Sequence, residues 1–177
     1  AIQEEMYTDL YSFLKKKDDS KDNNGYFNNG IHCSQLDSCV RQVTMDYFKF
    51  PKKEKTMAEL LMFEIANFLH RLVGDWAKAS DVFELLGEEM DLTKFLPGDI
   101  SGKCDLNIKH KASGTKILTD TKTAMPTAFK KYSTWLIKHS HEIQINAYKY
   151  GLKKKGQEPD NLLLTAKMHI HINLINT

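Results

Sequence analysis

The stretch from Pro97 to Thr123 constrains the fold of this chain more than any other. Asp105 to Lys109 alternates polar and apolar residues, which is typical of a half-buried strand. Residues 111–114 (Lys-Ala-Ser-Gly) are typical of a turn, and Thr115 to Thr121 carries the β-branched and apolar side chains of a second strand. The stretch therefore predicts a β-hairpin.

This hairpin would bring two carboxylates and one ammonium group together. Asp120 and Lys122 are two residues apart on a strand, so their side chains point to the same face. Pairing of the strands would place Asp105 beside them. Two hard oxygen ligands suit Mg²⁺ or Mn²⁺, and a lysine beside them can hold a phosphate or a water. The alternative is a solvated pair at a strand end with a turn-associated aspartate.

Composition places the chain among ordinary soluble domains. Its 177 residues, 41% hydrophobic and 27% charged, predict a single domain over residues 1–177 with a real core. The net charge of +2 gives no global basic signature, so nucleic-acid binding would need local patches. The chain has no apolar run of membrane-spanning length and no signal-peptide pattern. Three cysteines without paired spacing favour a reducing compartment such as the cytoplasm.

Helical patterns precede the hairpin. Apolar periodicity predicts a first helix over Ile2–Lys17, and the residues from Asp18 to Gly30 predict a mobile loop that completes an N-terminal segment, 1–30. A second helix is expected over Ile31–Tyr47, with Ser34 as its N-cap. A long helix is expected over Thr56–Phe83, with enough apolar residues to be buried on more than one side.

Further strands and helices complete an α/β pattern over residues 31–177. A strand over Gly87–Leu96 should precede the hairpin. Two helices should follow it, one over 124–139 starting near Pro126 and one over Ser140–Leu152. Strands are expected over Asn161–Ala166 and Met168–Ile175. The pattern predicts a central mixed sheet flanked by helices.

Several isolated residues are candidates for function. His70 lies in the middle of the long helix, where a histidine is more often a hydrogen-bonded core residue than a ligand. Gln144 and Tyr148 are four apart and share a helix face. Arg41 could reach a backbone phosphate, although a plain surface arginine is slightly favoured. Lysines available to a polyanion are Lys130, Lys131, Lys153, Lys154 and Lys155.

Taken in order, these residues resemble the RecB-like branch of the PD-(D/E)XK nuclease superfamily, with its phage and CRISPR-associated exonuclease-like members. That branch is marked by a helix histidine, a Gly-x-x-Asp element, an Asp/Glu-x-Lys strand and a Gln-x-x-x-Tyr helix. Here they stand as His70, Gly102–Asp105, Asp120–Lys122 and Gln144–Tyr148. The run from Ser34 to Arg41 also resembles the Ser-x-Leu-x-x-Cys-x-Arg opening of many members.

Three positions depart from the pattern of the branch. Ala66 stands where a glycine usually precedes the histidine by four residues, and Cys33 stands where a proline often precedes the serine. Cys39 matches the first ligand of the iron–sulfur cluster that some members hold, but no cysteine follows Cys104. We therefore expect no such cluster within this chain.

The resemblance implies a restriction-endonuclease-like core and a nuclease that hydrolyses phosphodiester bonds in DNA, with exonuclease action favoured, in DNA repair or recombination. His70, Asp105, Asp120 and the Thr121 carbonyl would ligate Mg²⁺ or Mn²⁺. Lys122 would hold the attacking water or stabilise the phosphorus centre. Gln144 and Tyr148 would position Lys122 and the DNA backbone. The residues that would contact the DNA phosphates are Arg41, Lys130, Lys131, Lys153 and Lys154.

The partners implied are single-stranded DNA or a double-stranded end, together with recombination or replication proteins and no membrane. The location implied is the cytoplasm of a bacterial, archaeal or phage-infected cell, or a mitochondrion. Two alternatives stay open: a DNA-binding module that keeps the fold without cleavage, and an interaction subunit of a recombination complex.

Overall fold

The computed structural model describes residues 2–23, 30–124 and 139–168, which together form a mixed α/β structure. The helices in these residues are α1 (Ile2–Asn23), α2 (Val40–Tyr47), α3 (Met57–Ala79) and α4 (His139–Lys154). The strands are β1 (Ile31–His32), β2 (Phe83–Asp91), β3 (Ile100–Ser101), β4 (Lys103–His110), β5 (Lys116–Ala124) and β6 (Asn161–Met168). None of the helices described is both long and apolar enough to cross a membrane.

The main sheet has the strand order β2-β4-β5-β6. β2, β4 and β5 are antiparallel neighbours, whereas β5 and β6 are parallel. Parallel neighbours need a crossover connection, and α4 lies between the two in sequence. β1 and β3 form a separate parallel pair with Ile31 opposite Ile100. The predicted α/β class and mixed sheet are therefore confirmed.

The predicted hairpin is confirmed in the β4–β5 pair. Ile108 lies opposite Ile117, and the turn is closed by a bond of 2.8 Å from the His110 N–H to the Thr115 carbonyl. Gly114 has φ 74°, a left-handed backbone that glycine adopts at little cost. The turn chemistry is confirmed, but β4 is not half-buried as its alternation predicted, because Asn107 is as buried as Leu106 and Ile108.

Helices cover the two faces of this sheet. On one face Leu106 and Ile108 of β4 pack with Ala77 of α3. On the other face Cys104 and Leu118 pack with the α4 residues Ile145, Tyr148 and Leu152. Burial of each such aliphatic side chain is worth about 1.5–3 kcal/mol, so these two clusters hold the sheet between α3 and α4.

The first helix is longer than predicted. α1 continues past Lys17 to Asn23, through residues that the sequence assigned to a loop. The Asp18 carboxylate pairs with Lys55 Nζ at 2.6 Å, so the polar residues here make tertiary contacts. Leu14 is buried with Met57 and Leu60 and packs α1 on α3. Residues 24–29 of the predicted loop lie outside the described residues.

The predicted helix over 31–47 is wrong in its first half. Ile31 and His32 form β1, residues 33–35 form a short 3₁₀ turn, and the α-helix begins only at Val40. Ser34 caps no helix; His32 caps the turn, because its Nδ1 accepts from the Ser34 N–H at 3.3 Å. The stretch therefore holds a strand and a turn before the helix, which keeps only the residues from Val40 onward.

The long helix ends earlier and is less buried than predicted. α3 stops at Ala79, because the Ser80 hydroxyl accepts from the N–H groups of Val82 and Phe83 and turns the chain into β2. β2 accordingly spans Phe83–Asp91 and not Gly87–Leu96. Apolar residues of α3 that stay about half exposed are Phe63, Phe68, Leu72 and Trp76. α3 therefore buries only one stripe of its surface.

Of the elements predicted after the hairpin, some are confirmed and the others fall on residues outside the description. α4 and β6 confirm the helix over Ser140–Leu152 and the strand from Asn161. The helix near Pro126 and the strand over Met168–Ile175 fall on residues outside the description, apart from Met168 itself. Cys33 and Cys104 are buried, as expected of structural thiols, whereas Cys39 is exposed.

Candidate functional site

The register of the β2–β4 pair shifts between Leu85 and Gly87, and a second irregularity, in side-chain direction, shapes the site. Glu88 lies opposite Leu106 and Met90 opposite Cys104, with Glu89 and Asp105 at the position between. Residues two apart on a regular strand share a face, yet Leu106 packs toward α3 and Cys104 toward α4. The chain therefore rotates at Asp105. On β2 the matching residue, Glu89, has φ 48°, which is unusual for a side chain other than glycine.

α3 brings His70 to this irregularity. His70 Nδ1 lies 3.4 Å from Asp105 Oδ2. One turn later, a Cβ atom on Gly74 would fall 1.8 Å from Glu88 Oε1, so the Glu88 side chain lies directly against the helix here. His70, Glu89 and Asp105 each offer a ligand atom, and these three atoms lie within 4.8 Å of one another. The helix and the sheet thus form one histidine–carboxylate cluster.

Asp105 lies in a largely buried position that disfavours its charge. Burial, together with the neighbouring charge of Asp120, raises the pKa of its carboxyl to about 7 against the opposing effects of the Thr121 N–H and Lys122. The Thr121 N–H donates to Asp105 Oδ2 at 2.7 Å. A carboxyl with this pKa gains or loses its proton near neutral pH, and a cation close to it would favour the charged form.

The predicted lysine lies in a chain of buried polar contacts. Lys122 Nζ lies 2.8 Å from Asp120 Oδ2 and donates to Gln144 Oε1 at 2.7 Å. Gln144 Nε2 in turn donates to the Tyr148 hydroxyl at 2.8 Å. An ammonium can only donate, so the amide oxygen must face Lys122. Burial raises the pKa of Tyr148, which keeps its phenol neutral.

Gly102, the glycine of the Gly-x-x-Asp element, is required by packing. A Cβ atom there would lie 2.6 Å from Cys33 Sγ and 2.9 Å from Tyr148 Cε1. Neither neighbour is the tip of a long flexible chain, so a methyl group could not fit without moving them. The glycine therefore fixes the aromatic ring that supports Gln144 and Lys122.

The histidine–carboxylate cluster lies in a cavity of about 580 Å³ between α1, α3 and the sheet. Its lining includes three cationic side chains, Lys17, Lys55 and Arg71, and five acidic ones, Asp18, Glu64, Glu88, Glu89 and Asp105. Lys17 pairs with Glu64, and Lys55 pairs with Asp18. Glu88 and Glu89 pair with Lys78 and Lys103, so four of the five acidic side chains have a lysine partner. Asp105, the fifth, lies beside His70.

The predicted ligand set is only partly brought together. His70 and Asp105 are in contact, and Thr121 lines the same cavity. Asp120 is 1% exposed and does not belong to the set within 4.8 Å, where Glu89 stands instead. Glu89 was missed because its position depends on the register of β2 against β4. The only signal for it in the sequence was a pair of glutamates inside a strand.

The predicted phosphate contacts do not line this cavity. Arg41 is exposed on α2, Lys153 Nζ pairs with Glu158 at 3.1 Å, and Lys154 Nζ lies 5.5 Å from the centre of the Tyr150 ring. Lys130 and Lys131 lie outside the described residues. The cationic residues that do line it, Lys17, Lys55 and Arg71, were missed because they meet only when α1 packs on α3.

Comparison with models of protein families, with curated proteins and with solved structures found no match to this chain.

Proposed function

We propose that this chain is a metal-dependent deoxyribonuclease, with a restriction-endonuclease-like core of the RecB type, that hydrolyses phosphodiester bonds at DNA ends. One observation carries the proposal: a continuous series of contacts joins His70, Asp105, the Thr121 peptide, Lys122 and Gln144. These contacts link carboxylate, imidazole and ammonium groups, of which His70 and Asp105 line the cavity. These are the groups that metal-assisted phosphodiester hydrolysis requires.

The residues present fit a hard divalent cation. Carboxylate oxygens suit Mg²⁺, and one imidazole among them shifts the preference toward Mn²⁺. Asp120 Oδ2 is buried and receives no well-aligned hydrogen bond from the described residues, although Lys122 Nζ lies 2.8 Å away. It therefore keeps a lone pair for a cation. His70 and Asp105 would hold the ion, with Asp120 beside them.

A bound divalent cation would polarise the phosphate, lower the pKa of water and neutralise developing negative charge. The protein's part is to position the other groups. Lys122 has three N–H donors, and Gln144 takes one of them, so the ammonium keeps capacity for a phosphate oxygen or a water. Gln144 is itself held by Tyr148, which restricts where the ammonium can point.

The two aspartates of the site make DNA binding depend on the cation. Carboxylates such as Asp105 and Asp120 repel a phosphate that comes close to them. A divalent ion would offset this repulsion. DNA affinity should therefore rise when Mn²⁺ is added and fall when it is chelated.

The test is a cleavage assay on end-labelled DNA with Mg²⁺, Mn²⁺ or EDTA, using linear single strands, linear duplexes and closed circles. We expect metal-dependent products from linear DNA and none from circles. Lys122→Ala should lose cleavage by at least about 100-fold while retaining its fold, because removing one preorganised charge contact typically costs that much. Lys109→Ala is the matched control, since Lys109 pairs with Glu84 at 3.1 Å on β4 of the same sheet.

The outcomes separate the proposal from its rivals. Cleavage by Lys122→Ala at the rate of wild type would exclude the role of the lysine. DNA binding without metal-dependent products would favour a non-cleaving DNA-binding module. A chain that neither cuts nor binds DNA would favour an interaction subunit.

A further inference from the structure

Glu89 is the acidic residue of the cavity that none of the nuclease motifs includes. We propose that Glu89 is a third protein ligand of the divalent cation, alongside His70 and Asp105. This role rests on the metal-dependent function proposed above. It also makes the ion site span three separate elements: α3, β2 and β4.

The geometry places Glu89 within reach of a single ion. The ligand atoms of His70, Glu89 and Asp105 all lie within 4.8 Å of one another. Two ligands on opposite sides of an ion with bonds of about 2.1 Å are about 4.2 Å apart, and adjacent ligands are about 3 Å apart. Small side-chain adjustments therefore suffice for all three to touch one cation.

A second observation, independent of the cluster, concerns the buried carboxylate of Asp120 on β5. Asp120 is 1% exposed, and its Oδ2 receives no well-aligned hydrogen bond from the described residues. The negative charge of Asp120 raises the pKa of Asp105. Lys122 is the ammonium group beside Asp120. A divalent ion beside Asp105 would offset the repulsion between these two carboxylates.

The simplest structural role for Glu89 is a salt bridge, because its carboxylate lies 3.4 Å from Lys103 Nζ. The Glu89 side chain is 52% exposed, and pairs of this kind contribute about 0–1 kcal/mol. A regular strand would bring the same pair together, so the contact does not account for the rotation of the chain at Glu89. The rotation does turn Glu89 toward the side where Asp105 meets His70.

The test is Mn²⁺ binding, measured by titration calorimetry on the full chain at pH 8 without DNA. We expect Glu89→Gln to weaken Mn²⁺ affinity by at least 10-fold. Glu88→Gln is the matched control, because Glu88 is adjacent, carries the same charge, lines the same cavity and pairs with Lys78 at 2.6 Å. Its Mn²⁺ affinity should stay within twofold of wild type. Circular dichroism in EDTA should show both variants folded.

Wild-type affinity in Glu89→Gln, or equal losses in both variants, would overturn the proposal, as would a wild-type chain that binds no Mn²⁺. If Glu89→Gln fails to fold, Glu89→Asp keeps the charge but shortens the side chain. It should then weaken Mn²⁺ binding by at least threefold, and undiminished affinity would overturn the proposal. Failure of the nuclease function has a different signature: Mn²⁺ binding that depends on Glu89, with no DNA products.

Discussion

Replacing Asp105 by Asn should stabilise the metal-free protein at pH 8. The folded structure raises the pKa of Asp105 from 3.8 to about 7, chiefly through burial, so the charged form is costly there. That difference corresponds to roughly 4 kcal/mol as an upper limit. Asparagine removes the charge and still accepts from the Thr121 N–H. Since the side chain is 19% exposed and its neighbours can relax, we expect a gain of about 2 kcal/mol.

The sign of the pH dependence follows from the direction of the shift. A carboxyl with a raised pKa in the folded state binds its proton more tightly there than in the unfolded chain. Its favourable contribution is therefore complete below about pH 4 and is lost as the pH rises to about 7. Wild type and Asp105→Asn should have equal free energies of unfolding near pH 4. The difference between them should reach its full size at pH 8.

Urea denaturation in EDTA at pH 4, 6 and 8, followed by circular dichroism, measures this difference. Asp91→Asn is a control of opposite sign, because hydrogen bonds from Thr93 lower the pKa of Asp91. That variant should be less stable than wild type at pH 8. An Asp105→Asn variant that is less stable than wild type at pH 8, or a gap that does not change with pH, would refute the reasoning.

The remaining predictions concern single contacts. Thr56→Ala should lower the free energy of unfolding by about 1 kcal/mol, because Thr56 and Glu59 cap the start of α3 reciprocally; an unchanged urea midpoint would contradict this. Gly102→Ala should lower it by about 1–3 kcal/mol, since the added methyl overlaps Cys33 and Tyr148. It should also slow cleavage by displacing the ring that holds Gln144. Wild-type stability and cleavage in that variant would show that the ring has room to move.

The parts of the site that sequence predicted are those set by local periodicity. Asp120 and Lys122 meet because they are two apart on one strand, and Gln144 meets Tyr148 because they are four apart on one helix. The turn before Thr115 followed from its residue types. These signals survive because no distant contact competes with them.

The parts that sequence missed depend on contacts between distant segments. Glu89 reaches the cluster only through the register of β2 on β4. Lys55 enters the cavity only because α1 continues far enough for Asp18 to pair with it. Ile31 and His32 precede the predicted N-cap at Ser34, and only their pairing with β3 makes them a strand. Tertiary pairing of this kind leaves no periodic trace in the sequence.

The most direct test of the central claim is an anomalous difference map from crystals of the full chain grown with Mn²⁺ and no DNA. The account predicts a peak bounded by His70 Nδ1 and a carboxylate oxygen of Asp105, with Lys122 still hydrogen-bonded to Gln144. A cavity without a peak, or an ion bound only elsewhere on the surface, would contradict it.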